Sequence, residues 1–104
     1  MDNHDQQLQR IQEMETAINR YADLLSQTQN LLAQLQTEQE TYIRLRDYYA
    51  DSIYTEDVTL SISPAFPANQ PSGVLSEDAL YNLLDDQRQV ALDMLDQASR
   101  MLRE

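Results

Sequence analysis

Ile11-Gln12-Glu13-Met14-Glu15-Thr16-Ala17-Ile18-Asn19-Arg20-Tyr21-Ala22-Asp23-Leu24-Leu25 opens a run in which apolar residues recur at alternating intervals of three and four. That interval belongs to a helix whose seam faces another helix. One heptad register puts Ile11, Ile18, Leu25, Leu32, Gln39 and Arg46 at position a. It puts Met14, Tyr21, Thr28, Leu35, Tyr42 and Tyr49 at position d, so that nine of these twelve are apolar. Ala17, Leu24, Leu31 and Leu45 widen the stripe on its g side, which suits a helix touching two or more neighbours. Neither Gly nor Pro interrupts residues 5–50, and the pattern predicts one helix over that span. Glu40 and Arg44 are spaced as an i,i+4 pair on its polar side.

Working outward towards the C-terminus, a second helix is predicted over 76–103. Ser76 is the expected N-cap, and Glu77 and Asp78 place negative charge on the first turn, where the helix dipole favours it. Leu75 and Leu80 are spaced as a hydrophobic staple. Leu80, Leu84, Ala91, Met94, Ala98 and Met101 line one face, and Asp96 with Arg100 supports the other. Between the helices, residues 51–75 hold all three prolines (Pro64, Pro67 and Pro71) and the one glycine, Gly73. Within that connection Val58, Leu60 and Ile62 alternate with Thr59 and Ser61, a short strand pattern. A connection of this length is uncommon in a compact hairpin and points to function or disorder.

The composition narrows the function classes. Eighteen acidic residues stand against seven basic ones, all arginine, giving a net charge of −11 over 104 residues. Phosphate contacts need Lys or Arg, so nucleic acid and an anionic membrane surface are not expected partners. With no cysteine, disulfides, thiolate metal sites and cysteine catalysis are excluded. The polar, acidic start of the chain has no secretory pattern, and no apolar run approaches a transmembrane span. The expectation is a cytoplasmic protein.

The parts of an active site are scarce. His4 is the one histidine, which removes two-histidine zinc sites and Glu-x-x-His di-metal bundles. Asp2-Asn3-His4 would make a terminal copper-type chelate if Met1 were removed, but a solvated terminus is the expectation. Asp85, Asp86, Asp93 and Asp96 are spaced as a solvated helix face, without the glycine turn of a calcium loop. One glycine cannot build a nucleophile elbow, a P-loop or a dinucleotide fingerprint, and without lysine there is no Schiff-base chemistry. The expectation is no enzyme, no cofactor and no metal. Tyr21, Tyr42, Tyr48, Tyr49, Tyr54 and Tyr81 form a rich aromatic set, of which Tyr42, Tyr49 and Tyr81 are expected to cap the bundle end near the connection.

Arg10, Ile11, Met14 and Glu15, the pair Tyr48-Tyr49, and the run Gly73-Val74-Leu75-Ser76-Glu77-Asp78-Ala79-Leu80-Tyr81 together resemble a small bacterial family of domains of unknown function. That family carries a Tyr pair followed by Gly-Val-Leu-Ser-Glu-Asp. The resemblance spans roughly residues 8–102. Ile53 and Tyr54 stand where the family pattern has a tryptophan, whereas Asp57 fits the acid that follows it. What the resemblance implies is a bacterial, cytosolic, helical protein, with no activity attached.

The fold expected is all-α, one domain over 1–104: a long helix, a proline-containing loop and a second helix in an antiparallel coiled-coil hairpin. The first helix would span about 70 Å and the second about 40 Å. Ile11, Met14, Ile18, Tyr21 and Leu25 would then remain uncovered, and they are the expected homodimer interface, completing a four-helix bundle. The competing arrangement breaks the first helix at 26–30 and forms a monomeric three-helix bundle. Ile62 and Phe66, apolar residues beside prolines, are the candidate loop contacts for a protein partner. Functionally the pattern suggests a non-enzymatic structural or protein-interaction protein. The alternatives are an acidic module (an antitoxin, inhibitor or DNA mimic) acting on a basic partner, and an exported type VII-like hairpin, which Tyr81 and Asp85 in a Tyr-x-x-x-Asp spacing would allow.

Overall fold

The structure is a computed structural model that describes residues 3–104. Among the described residues it is all-α: helices α1 (Asn3–Thr37), α2 (Gln39–Ala50), α3 (Ser52–Ser61) and α4 (Ala79–Arg103), with a 3₁₀ turn at Gly73–Leu75 and no strand. The chain divides into two compact units, the first ending at Glu40 and the second running Thr41–Glu104.

The first unit is essentially α1. It passes through residues 26–30 without a break, as an uninterrupted a/d pattern requires. In place of one helix over 5–50, however, the regular helix stops at Thr37 and resumes at Gln39. The Thr37 hydroxyl donates back to the Ala33 carbonyl at 3.0 Å, a bond that loosens the local ladder of a helix. The Glu38 N–H still reaches the Gln34 carbonyl at 3.0 Å, so the interruption is a local deviation of one residue.

The second unit departs further from the expectation. Residues 51–75 are not one loop, and the alternation of Val58, Leu60 and Ile62 is not a strand, because residues 52–61 are helical. Asp51 starts α3 as its N-cap, accepting from the Ile53 N–H at 2.9 Å. The half-buried residues of α3 are Tyr54, Asp57, Val58 and Ser61, at intervals of three and four. A strand would instead have set Val58, Leu60 and Ile62 on one face, but Ile62 is 82% exposed and Leu60 is exposed too. Thr59 and Ser61, expected to favour extended backbone, donate their hydroxyls to the carbonyls of Thr55 and Val58. Ile62 ends the helix.

After α3 the chain descends through single turns, closed by Phe66 N–H to Ser63 and Gln70 N–H to Pro67, into the 3₁₀ turn. That turn packs on α3 on one side and on the start of α4 on the other. The N-cap assigned to Ser76 is corrected here. Ser76 closes the 3₁₀ turn, its N–H donating to the Gly73 carbonyl, and α4 starts at Ala79 with Asp78 at the cap position and no side-chain cap bond. Leu80 is accordingly the second residue of α4, and it is the one buried hydrophobic among the described residues.

Candidate functional site

A cluster of side chains lies where α2, α3 and the connection meet. The two tyrosines ending α2 are received by Tyr54, one helical turn into α3. The Tyr48 and Tyr54 rings meet edge to face at 5.6 Å and 88°, and Tyr49 and Tyr54 at 5.2 Å and 66°. Both arrangements suit the ring quadrupoles. The Tyr48 hydroxyl donates to the Asp57 carboxylate at 2.6 Å, a short charge-assisted bond across the α2–α3 turn. That bond, with burial and the negative charge of Asp57 adding to it, pushes the Tyr48 phenol from 10.0 up to about 12. At neutral pH such a phenol is a hydrogen-bond donor and a poor proton acceptor.

Beside this pair is a cleft of about 340 Å³, lined by Tyr48, Asp57, Leu60, Phe66, Pro67 and the 71–75 segment. Its wall is mostly apolar, and its polar handles are the Tyr48–Asp57 pair and Gln70. Phe66 is half-buried there, while Ile62 is exposed and does not line the cleft. The aromatic set is corrected likewise: Tyr48, Tyr49 and Tyr54 form the cluster, and Tyr81 is 61% exposed on α4. Sequence reading missed the Tyr48–Asp57 tie because it took residues 58–62 as extended. The signal that would have found it is the 54, 57, 58, 61 spacing directly after a capping Asp51.

On the first unit, Ile11, Met14, Ile18 and Tyr21 share one face of α1 and line a shallow groove with Ala17, rimmed by Arg10 and Glu15. Leu25 continues the stripe, and all five residues of the expected interface are exposed. Asp85, Asp86, Asp93 and Asp96 are exposed on α4. Asp93 accepts from Gln89 at 2.9 Å, and Asp96 meets Arg100 at 3.6 Å, the i,i+4 pair anticipated for that face. The ion pairs among the described residues are that one and Arg46 with Asp47, and Glu40–Arg44 is not among them. No group of three or more His, Asp or Glu side chains among the described residues is placed to hold a metal ion. The Asp2-Asn3-His4 chelate involves Asp2, which lies outside the described residues. No helix among the described residues is long and apolar enough to cross a membrane.

A family model, that of the domain of unknown function DUF4298, matches residues 11–97. The chain is a member of that family. The match takes in the α1 stripe, the Tyr48–Asp57 cluster and most of α4. No curated protein matches the chain.

Proposed function

We propose that this protein is a non-enzymatic helical module that works by association: its α1 stripe pairs with a second copy, and the α1 and α4 stripes of two copies enclose a common four-helix core. The observation that carries this reading is how little apolar surface each unit buries by itself. Leu80 is the one hydrophobic fully buried among the described residues, although Ile11, Ile18, Leu31, Leu95 and Leu102 are each more than half exposed. Ordering a residue costs about 1–2 kcal/mol of backbone entropy, and burial of apolar surface is what offsets it. A free helix gains little from propagation alone, so a 35-residue α1 needs a covering surface to persist. Covered in a dimer, the same stripes supply the missing burial.

The net charge of −11 favours a second reading, in which a basic protein covers the stripe and a second copy does not. Thermal melts followed by far-UV circular dichroism separate the two. Self-association predicts a melting temperature that rises steadily with protein concentration, by mass action. A concentration-independent melt would contradict it and favour a partner of opposite charge.

A further inference from the structure

The α1 stripe also carries directional information, and we infer that two copies of α1 pair antiparallel in one register, with Ile11 opposite the partner's Leu35 and Tyr21 opposite the partner's Leu25. This rests on the self-association proposed above and adds its orientation and alignment. The stripe is asymmetric. It is widened by Ala17, Leu24 and Leu31 on its g flank, whereas Glu15, Gln29 and Gln36 occupy the e flank beside a lone Ala22. A parallel pair sets g against e, and would bury Leu24 and Leu31 against the amides of the partner's Gln29 and Gln36. Reversing one helix sets like flank against like. Leu24 then meets the partner's Leu24, Ala17 meets the partner's Leu31, and the glutamines share the wet flank.

Seam continuity and terminal charges fix the register. Aligning Ile11 with the partner's Leu35 brings Met14 to the partner's Leu32 and uses the whole stripe, with Ile18 opposite the partner's Thr28 as a mixed layer that the two-fold axis repeats once. In that alignment Arg10, on the rim of the α1 groove, lies opposite the partner's Glu38, once at each end of the pair. Neither residue makes an ion pair among the described residues of a single chain. Sliding by one heptad puts Arg10 against the partner's Leu31. Sliding by two puts Glu15 against the partner's Glu15 on the two-fold axis, where like charges repel. The full overlap alone combines a continuous seam with opposite charges at both ends.

The chain has no cysteine, so introduced thiols report without background. Ile18→Cys and Thr28→Cys, mixed and mildly oxidised, should link as a heterodimer, because facing seam positions come within disulfide reach. Each variant alone should stay unlinked. Self-linking of each variant alone would mean a parallel pair and overturn the orientation. A wild-type dimer whose variants fail to link in any combination would overturn the register and leave self-association standing, whereas a wild-type monomer would remove the proposed function itself. A charge swap reads the register without touching the seam: Glu38→Arg should weaken the dimer about fivefold, and Arg10→Glu combined with Glu38→Arg should restore it. Failure of the double variant to recover would contradict the Arg10–Glu38 pairing.

Discussion

Tyr48 donates to Asp57 from the last turn of α2, and that hydrogen bond is what a single substitution can most directly probe. Tyr48→Phe keeps the ring contact with Tyr54 and removes the donor, leaving a half-buried carboxylate without it. The second unit should lose about 1–2 kcal/mol, read from urea melts. Because folding raises the phenol from 10.0 to about 12, the stabilisation is fully present below pH 10.0 and is lost as pH rises through about 12. Ultraviolet titration should show Tyr48 ionising late, and Tyr48→Phe should delete that step. The caps give a second contrast. Asp51→Ala removes the acceptor that holds the Ile53 N–H and should cost about 1 kcal/mol. Ser76→Ala removes a side chain that caps no helix, and should stay within about 0.5 kcal/mol of wild type. Equal losses at the two positions would return the start of α4 to Ser76.

At the scale of elements, α1 and α4 were legible because a seam repeated over several heptads leaves one solution, and Gly and Pro are absent where they would spoil it. The start of α4 was read three residues early. Ser76-Glu77-Asp78 satisfies the local rules for a cap, yet the backbone spends those residues closing a 3₁₀ turn from Gly73. The α3 helix was illegible for a related reason: Val58, Thr59 and Ile62 are residues of high β propensity, and the bond from Tyr48 to Asp57, with the Tyr54 ring contacts, outweighs propensity. The same gap hid the cleft, since its wall needs Leu60 and Asp57 on a helix. Phe66, half-buried in that wall, and Ile62, in water, should therefore behave differently. Phe66→Ala should lower the stability of the second unit by about 1–2 kcal/mol, whereas Ile62→Ala should be close to neutral in the same thermal melts.

Across the molecule each unit by itself buries little: among the described residues the first buries no hydrophobic and the second buries Leu80 alone, too little to hold either unit's helices. The apolar surface that would do so is arranged along α1 and α4 at coiled-coil spacing, and a charge of −11 keeps such surface from associating indiscriminately. Ile18 sits in the middle of the α1 seam, and Ile18→Asp should abolish association while leaving the Tyr48–Asp57 cluster of the other unit intact. The late tyrosine titration would report that cluster directly. Multi-angle light scattering of the wild-type protein at micromolar concentration reads out whether a second copy completes this fold. A self-completing fold should give a mass of twice 12.1 kDa, and a mass of 12.1 kDa for a chain that is still fully helical would rule it out.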